Sequence, residues 1–350
     1  MEAVERVVDK IVGIGLLENK KTIFLIGNTA KKENLEFYLS PIRVYDQIIV
    51  AGVIVFSERM AKKIAKYIDG LIDYIFIDSE KKIRDESSVS TTLGNMQRAV
   101  RQVVFRSELI SYKANDLTVD AADIFISEYY SGDIAALGGK KVAIIGAGNI
   151  GSKIALKLVE RGADVRLYRR DVRRLNFTVD YINSVKSKYT VASAFSAMSV
   201  MDASLNADVL IGLTNGVPII DDNVISSINS NSLIIDIGKG SISKSAVMKA
   251  YLLGLEVYRL SVESALEGMI VSSISTHNIY KKRTGRSIWN NTKIVSGSIL
   301  AHEDEFVVDD YSNPRVVYGL GDGMGDFKRI LNKKEKDSLN FLTMTIENNG

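Results

Sequence analysis

The chain has 350 residues, 46% of them hydrophobic, which is enough for two ordinary domains, since domains usually run ~100–200 residues. Its 45 Lys and Arg against 42 Asp and Glu give a net charge of +3, so the composition predicts neither a nucleic-acid partner nor a membrane-surface partner. The absence of cysteine excludes disulfides, a thiol nucleophile and thiolate metal sites.

The N-terminus and the longest apolar run bear on where the protein is found. Residues 1–10 alternate acidic and apolar side chains, unlike a secretory signal, in which basic residues precede an apolar stretch. The longest apolar run, residues 48–56, is far below the ~20 residues that cross a bilayer. We therefore expect a cytoplasmic protein with no membrane partner.

Residues 1–116 are predicted to form a small α/β domain that contributes substrate or interaction contacts. Short β-branched runs predict strands at residues 22–27, 42–46, 48–56 and 74–78. Apolar residues at helical spacing predict helices at residues 58–67, 88–113 and 117–130. The last helix belongs to a connecting segment, residues 117–138, that leads into a second domain.

Residues 139–262 show strand and helix signals that largely alternate. Strands are predicted at residues 142–145, 164–168, 190–192, 209–214, 232–237 and 256–260, and helices at 149–161, 221–229 and 243–253. Such alternation predicts an α/β fold with a doubly wound parallel sheet. Residues 263–350 are predicted to be a C-terminal extension with a helix over 327–340.

Three glycines mark the point where the first strand of this domain gives way to a helix. Gly146 would allow a tight turn, Gly148 would let the backbone approach a pyrophosphate, and Gly151 would let the helix pack closely. The phosphates would lie at the helix N-terminus, where unpaired N–H groups and the helix dipole favour negative charge. A Rossmann-type dinucleotide-binding domain is therefore predicted. Its candidate cofactor-binding residues are Gly146, Ala147, Gly148, Asn149, Ile150, Gly151, Arg169, Arg170, Thr214, Asn215, Gly216 and Gly238.

The second strand of this domain ends in Tyr168, followed by Arg169, Arg170 and Asp171. An NAD-selective site keeps an acidic residue ~20 residues past the glycines to bind the ribose hydroxyls, whereas two guanidiniums match a 2′-phosphate. Asp171 could still bind the ribose, and the arginines could simply begin a solvated helix. The pattern favours NADP(H) as the cofactor and leaves NAD(H) open.

The segment from Leu117 to Leu266 resembles the cofactor half of the shikimate dehydrogenase and glutamyl-tRNA reductase group. Residues 117–120 and residues 138–142 are spaced as two motifs of the shikimate enzymes are. Residues 168–170 stand where those enzymes carry an NADP clamp. The resemblance implies that Asp120 occupies the position of their substrate-side aspartate. The N-terminal third lacks their S-x-S and N-V-T-x-P-x-K motifs, so we do not expect shikimate itself as the substrate.

Residues 234–247 are similar to a segment of the D-2-hydroxyacid dehydrogenases. Lys239 stands where that family has its substrate-binding arginine, and a lysine keeps the charge but not the bidentate geometry. The family's acid–base histidine has no counterpart, because residues 294–298 occupy its place. The resemblance therefore implies a nicotinamide-dependent oxidoreductase whose own acid–base group must be sought elsewhere.

Hydride transfer to or from a carbonyl or imine needs a proton donor or acceptor within hydrogen-bond reach. The cleft is expected at the carboxyl ends of the strands, where residues 214–216 and 238–240 follow two of them. Lys239 is the preferred catalytic candidate. Lys113 and Asp120 are two more, since they flank the entry to the first crossover helix and would face the same cleft from the other domain, although Asp120 could instead cap that helix.

Other polar clusters are interpreted more plainly. His277 and His302 have no motif around them and are predicted to be surface residues. The acidic stretch 302–310 lacks the spacing of known metal motifs, so we expect no metal site. The glycine-rich stretch 319–326 suggests a functional loop or a turn-rich connection.

The leading hypothesis is an NADP(H)-dependent oxidoreductase that acts on a small carbonyl, imine, or hydroxy or amino acid. We expect a homo-oligomer, with a homodimer as the simplest form, and no nucleic-acid partner. Two alternatives stay open. The protein could retain NAD(P) for a net non-redox reaction, or it could be a non-enzymatic dinucleotide sensor.

Overall fold

The computed structural model describes residues 1–29, 36–83 and 95–349. The chain divides into two units, Met1–Met269 and Ile270–Gly350. Among the described residues no helix is both long and apolar enough to cross a membrane.

The first part of the chain forms a six-stranded, mostly parallel sheet. Its elements are α1 (Glu2–Glu18), β1 (Lys21–Asn28), β2 (Phe37–Leu39), β3 (Arg43–Val44), β4 (Ile48–Val55), α2 (Glu58–Ile68), β5 (Tyr74–Asp78), α3 (Met96–Arg101) and β6 (Glu108–Tyr112). The strand order is β2-β4-β1-β5-β6, with β3 also paired to β4. Strands β4, β1, β5 and β6 run parallel, whereas β2 and β3 are antiparallel to β4. The apolar residues of β1 and β4 are mostly buried on both faces, as expected of central parallel strands.

Two predictions for this part need correction. The helix predicted over 88–113 is wrong at its end, because Glu108–Tyr112 is strand β6, paired along its length with β5; residues 88–94 lie outside the described part. Pairing with β5 overrides the helical spacing of the apolar residues here. The strand predicted over 42–46 is reduced to Arg43–Val44.

The connecting helix is α4 (Ala114–Tyr129), which begins three residues before the predicted Leu117. Its N-cap residue is Lys113. Asp120 lies in the middle of α4, so the alternative that Asp120 caps the helix is wrong.

The second sheet has the strand order and direction of a Rossmann domain. Its elements are β7 (Lys141–Ile145), α5 (Asn149–Glu160), β8 (Asp164–Tyr168), α6 (Val172–Val185), β9 (Ala194–Ser196), α7 (Val200–Ser204), β10 (Val209–Gly212), α8 (Asp222–Ser227), β11 (Leu233–Asp236), α9 (Lys244–Leu252) and β12 (Val257–Arg259). The order is β12-β11-β10-β7-β8-β9, and every pair is parallel. The predicted doubly wound parallel sheet is confirmed.

Alternation along β7 explains why helices cover both faces of this sheet. Val142 and Ile144 pack into a core with residues of α4, α5 and α6. Ala143 and Ile145 pack into a second core with residues of α7, α8 and α9. The strand predicted at 190–192 is wrong, because Val191 is 95% exposed and pairing with β8 starts only at Ala194.

The remaining elements are α10 (Glu263–Asn278), a π-helical turn (Ile279–Arg283), β13 (Arg286–Trp289), β14 (Thr292–Ser296), β15 (Phe306–Val308), β16 (Val317–Leu320) and α11 (Lys333–Asn349). The four strands form one sheet in the order β13-β14-β15-β16. Residues of α11, such as Leu342 and Ile346, pack on it. The helix predicted over 327–340 therefore begins later and ends later, and the sequence did not predict the sheet.

Candidate cofactor site

The glycine loop between β7 and α5 has the geometry that its spacing predicts. Gly146 has φ 123°, and a Cβ there would lie 2.4 Å from the Leu213 carbonyl oxygen. A Cβ on Gly151 would lie 2.4 Å from the Gly146 carbonyl oxygen. Both positions are therefore closed to a side chain, because the loop packs against β10 on one side and against α5 on the other.

Gly148 differs from these two glycines because, apart from its neighbours in sequence, no heavy atom of the described residues would lie within 4 Å of a Cβ there. It is the N-cap of α5, and no side chain caps the helix from that position. The first N–H groups of α5 therefore have no N-cap side chain to satisfy them, which is the arrangement that binds phosphate at a helix N-terminus.

A cavity of about 460 Å³ opens in front of this loop, within the range of ligand pockets. It lies at the carboxyl ends of β7, β8 and β10. Strands β7 and β10 are neighbours at which the chain direction across the sheet reverses, and open α/β sheets bind ligands at that point. The lining residues of this cofactor cavity are Gly146, Ala147, Gly148, Tyr168, Arg169, Arg170, Asp171, Arg174, Leu213, Thr214, Asn215, Val217 and Ile219.

The arginines give the cavity a positive end. Arg169 donates from Nη1 to the Ala147 carbonyl oxygen at 3.0 Å, so its guanidinium lies against the glycine loop. Asp171 accepts from the Arg174 backbone N–H at 3.1 Å as the N-cap of α6, and its other oxygen lies 3.3 Å from Arg174 Nε. The lining holds three guanidiniums against one carboxylate. Arg174 was not among the predicted cofactor residues; it lies in the first turn of α6.

The cavity brings together seven of the predicted cofactor residues: Gly146, Ala147, Gly148, Arg169, Arg170, Thr214 and Asn215. Asn149, Ile150 and Gly151 form the first turn of α5. Gly216 and Gly238 lie in the loops after β10 and β11 and do not line the cavity. Their contacts with a cofactor stay a prediction.

The loop that carries Lys239 lies beside the loop after β10. The Asp236 carboxylate accepts from the Gly240 backbone N–H at 2.6 Å, and the Thr214 N–H donates to Ser241 Oγ at 3.1 Å. Lys239 itself has φ 56°, in the left-handed region, and is exposed. It is one loop away from the cofactor cavity and does not line it.

The other two catalytic candidates lie on α4, which packs against α5. Lys113 Nζ lies 3.4 Å from the Asp116 carboxylate. Asp120 pairs with Lys157 of α5 at 3.2 Å, with 52% of its side chain exposed. Neither residue lines the cofactor cavity, and their catalytic roles stay a prediction.

A more buried ion pair lies one turn farther along α4. Asp123 accepts from Arg161 Nε at 2.6 Å and from Nη2 at 2.9 Å, and Lys157 Nζ lies 3.3 Å away. Burial alone would raise the pKa of the Asp123 carboxyl, but these hydrogen bonds and the charges of Lys157 and Arg161 outweigh it and hold that pKa below its usual range. The pairing fixes α4 on the helix that begins at the glycine loop.

The acidic stretch 302–310 does not converge on a common point. Glu305 is buried and accepts from Arg286 Nε at 2.9 Å, Asp304 pairs with Lys293, and Asp309 accepts from loop N–H groups. In the described ranges no three His, Asp or Glu side chains come together in a way that could hold a metal ion.

The C-terminal unit has a larger cavity, of about 590 Å³, between the β13–β14 turn and the start of α11. Its lining includes Asn290, Asn291, Lys333 and Lys334. Size alone does not make it the cofactor site, because it has neither a glycine loop nor the carboxyl edge of a parallel sheet. The smaller cavity has both features, and it is the candidate cofactor site for that reason.

Comparison with known families supports this assignment for the second sheet. Residues 141–240 match the family model described as NADP oxidoreductase, coenzyme F420-dependent. Over these residues the second sheet is similar to the Rossmann domain of NAD(P) oxidoreductases. The predicted resemblance to that superfamily is thereby confirmed, whereas no curated protein matches the sequence.

Several solved structures match this chain at low similarity. A dipicolinate synthase polypeptide from Bacillus halodurans is 13% identical, with 75% of this chain and 98% of that chain covered and a TM-score of 0.36. Ornithine transcarbamoylase from Giardia lamblia is 12% identical over 80% and 94%, with a TM-score of 0.42. L-tryptophan dehydrogenase from Nostoc punctiforme is 12% identical over 74% and 79%, with a TM-score of 0.40. We draw no functional conclusion from likenesses of this degree.

Proposed function

We propose that this protein is an NADP(H)-dependent oxidoreductase that transfers hydride to or from a small carbonyl, imine, or hydroxy or amino acid metabolite. The observation that carries the proposal is the cofactor cavity, which combines an uncapped helix N-terminus with a cluster of arginines at the end of β8. A nicotinamide dinucleotide bound there would supply or accept the hydride. The residues of the chain bind and orient it.

The choice of NADP(H) rests on charge. Arg169, Arg170 and Arg174 line the end of the cavity beyond β8, where the adenosine ribose of a dinucleotide is expected. The one carboxylate there, Asp171, already accepts the backbone N–H of Arg174 and pairs with its side chain. It therefore has less capacity to bind ribose hydroxyls, and the guanidiniums suit a phosphate.

Lys239 is the acid–base group that we propose for the nicotinamide end. Its loop lies beside Thr214 and Asn215, which line the cavity, and a Cβ on Gly240 would touch Gly216 Cα at 3.4 Å. Its exposed ammonium can reach toward the cleft, and a lysine in the left-handed region is an outlier that invites a functional explanation.

The proposal is tested first by binding. Purified protein, freed of nucleotide, is titrated calorimetrically with NADPH and with NADH, and we expect NADPH to bind at least about tenfold more tightly. Binding of neither nucleotide would overturn the proposal. Equal affinities for NADPH and NADH would overturn the choice of NADP(H), but the proposal of a dinucleotide-dependent enzyme would stand.

Turnover is tested second, with a panel of carbonyl and imine metabolites and NADPH oxidation as the readout. Because the matching family model is described as coenzyme F420-dependent, the panel includes coenzyme F420 as a hydride acceptor. Oxidation of NADPH with any member supports the oxidoreductase. Nucleotide that stays bound through purification without net turnover would contradict it and favour a retained cofactor.

A further inference from the structure

A second set of converging polar groups lies at the carboxyl edge of the N-terminal sheet. Strand β1 lies between β4 and β5, and the chain passes from β1 to β4 on one side and then to β5 on the other. The carboxyl ends of β1 and β5 therefore flank a point where the direction of the chain across the sheet reverses, as in the second sheet. Asn28 ends β1 and Asp78 ends β5, with exposed fractions of 4% and 1%.

Asn28 is held in one orientation with its amide oxygen unused. Its Nδ2 donates to Asp78 Oδ2 at 2.9 Å and to the Glu80 carbonyl oxygen at 3.0 Å. Since both partners are acceptors, the amide cannot be reversed. Asn28 Oδ1 is buried, and no described residue donates to it. A buried acceptor of this kind is costly unless a donor beyond the described residues reaches it.

The charges around Asn28 Oδ1 select the donor. Lys82 Nζ lies 3.3 Å from Asp78 Oδ2 and 2.6 Å from Glu80 Oε2, so two carboxylates share one ammonium. Burial raises the pKa of the Asp78 carboxyl although Lys82 opposes the shift. The edge carries net negative charge and still has a buried oxygen that needs a donor, so a positively charged N–H donor fits it best.

A divalent metal fits this edge less well. Lys82 Nζ already lies between the two carboxylates. Backbone N–H groups also donate to these carboxylates: Glu80 to Asp78 Oδ1 at 3.1 Å, and, at the start of α4, Ala114 to Asp78 Oδ1 at 3.4 Å and Asn115 to Glu80 Oε2 at 3.0 Å. These donors would have to be displaced before the oxygens could coordinate a metal.

The start of α4 links this edge with the cofactor helix. Asn115, which touches Glu80, is followed by Asp116, and the Asp116 carboxylate pairs with Lys153 of α5. Lys153 lies near the start of α5, whose N-terminus faces the cofactor cavity. The start of α4 thus contacts both the carboxyl edge of the first sheet and the helix that begins at the glycine loop.

We propose that the edge formed by Asn28, Asp78, Glu80 and Lys82 binds the primary ammonium group of an amino acid, with Asn28 Oδ1 accepting one of its protons. That this amino acid is the substrate of the oxidoreductase rests on the proposed function. Binding of the amino acid to the N-terminal sheet does not depend on the proposed function, and this binding can be measured without any nucleotide.

The test is calorimetric titration of the nucleotide-free protein with each of the twenty proteinogenic L-amino acids, followed by the 2-hydroxy acid with the same side chain as any that binds. We expect at least one amino acid to bind about tenfold or more tightly than its hydroxy analogue, because the hydroxy acid lacks the charged donor. Asn28→Leu should weaken binding of that amino acid about tenfold or more, since it removes the acceptor and keeps the shape.

Two charge variants separate binding from a structural role. Glu80→Gln should weaken amino-acid binding several-fold, whereas Lys82→Met should strengthen it several-fold, because the carboxylates lose their internal cation. Lys62→Met, on α2 where Lys62 contacts Gln102, is the matched control and should change nothing. A purely structural role would weaken binding in both charge variants.

The outcomes separate this site from the proposed function. Binding of no amino acid, or equal binding of amino and hydroxy acids, overturns the ammonium site even if NADPH binds. Amino-acid binding without NADPH binding overturns the proposed function and leaves the site. Asn28→Leu protein is checked by thermal unfolding, and if it does not fold, the opposed effects of Glu80→Gln and Lys82→Met decide.

Discussion

Arg169 at the end of β8 donates a hydrogen bond to the carbonyl oxygen of Ala147 in the glycine loop, at 3.0 Å. The bond joins the part of the cavity that would hold the pyrophosphate to the part that would hold the adenosine ribose. It also fixes one guanidinium in place before any ligand arrives, and a preorganised cation loses less entropy on binding. The selectivity of the site for NADP(H) should therefore depend strongly on this residue and its neighbour.

The double variant Arg169→Asp, Arg170→Ser should weaken NADPH binding much more than NADH binding. Each charge-assisted hydrogen bond to a phosphate contributes roughly 1.5–3 kcal/mol, so the Kd for NADPH should rise about 100-fold or more. NADH lacks the 2′-phosphate, so the affinity of the variant for NADH should fall only a few-fold. This smaller loss would come from the missing hydrogen bond between Arg169 and the Ala147 carbonyl oxygen. Titration of the variant with both nucleotides measures the difference.

Arg173→Ser is the matched control for this pair. Arg173 belongs to the same run of arginines but stacks over Phe177, with its guanidinium carbon 6.0 Å from the ring centroid, and does not line the cavity. Arg173→Ser should therefore leave the affinities for NADPH and for NADH unchanged. Equal losses of NADPH and NADH in the double variant would remove the case for a 2′-phosphate site.

Gly148→Ala should weaken NADPH binding without a loss of stability, whereas Gly151→Ala should lower stability. A methyl group on Gly148 meets open space, so the variant should unfold at the wild-type temperature but bind NADPH about tenfold or more weakly, because the backbone must approach the pyrophosphate there. A methyl group on Gly151 would lie 2.4 Å from the Gly146 carbonyl oxygen. That variant should lose stability by about 1–3 kcal/mol.

Thermal unfolding and NADPH titration of both glycine variants check this. Unchanged NADPH affinity in a folded Gly148→Ala protein would mean that the pyrophosphate does not lie at the start of α5. An unchanged unfolding temperature in Gly151→Ala would contradict the close packing of helix and loop.

Local signals explain what the sequence predicted correctly. The glycine spacing, the buried runs of β7, β10 and β11 and the pair Arg169–Arg170 all act over a few residues, so the second sheet and most of its cavity lining were predicted. Helix α1 was not predicted, although Val4, Val8 and Ile11 recur at helical spacing and form its buried face.

Long-range pairing explains what the sequence could not predict. Strand β6 has one buried residue, Ile110, and is a strand because it pairs with β5, some thirty residues away. The β13–β14 hairpin left a local signal in Asn290 and Asn291, both with positive φ, which is typical of a tight hairpin turn. The convergence of Asn28 and Asp78 depends on the order of strands and has no local signature.

Asp123→Asn should destabilise the fold in a pH-dependent way. The pKa of Asp123 is held below its usual value in the folded protein, so its ion pair stabilises the fold above the unfolded pKa of about 4 and this stabilisation is lost as the pH falls through the folded pKa. At pH 7 the variant should lose about 1–3 kcal/mol in free energy of unfolding. The difference from wild type should shrink as the pH falls below about 4.

Denaturant unfolding at pH 7 and at several pH values below about 4 measures this difference. Asp120→Asn is the matched control, because Asp120 pairs with the same Lys157 from an exposed position, and it should cost less than about 0.5 kcal/mol. A pH-independent difference for Asp123→Asn would show that the charge of Asp123 does not stabilise the α4–α5 packing.

Lys239 offers a case in which stability and activity should move in opposite directions. A non-glycine residue in the left-handed region costs roughly 1–3 kcal/mol, and a glycine would remove this strain. Glycine also loses more conformational entropy on folding, which offsets part of the stabilisation. Lys239→Gly should therefore leave the free energy of unfolding unchanged or raise it by about 1 kcal/mol. If the ammonium moves the proton during hydride transfer, the same variant should lower kcat about 100-fold or more, since general acid–base groups contribute ~10²–10⁴-fold.

Turnover of NADPH with a substrate from the carbonyl and imine panel, together with denaturant unfolding, measures both effects. Lys239→Met separates them, because it keeps the backbone strain and removes only the charge: it should match wild type in stability and Lys239→Gly in kcat. Lys239→Arg keeps a cation whose pKa is too high to exchange protons near neutral pH, so it should bind substrate but remain slow. Full activity in Lys239→Met would make Lys239 an ordinary loop lysine and move the search for the acid–base group to Lys113 and Asp120 on α4.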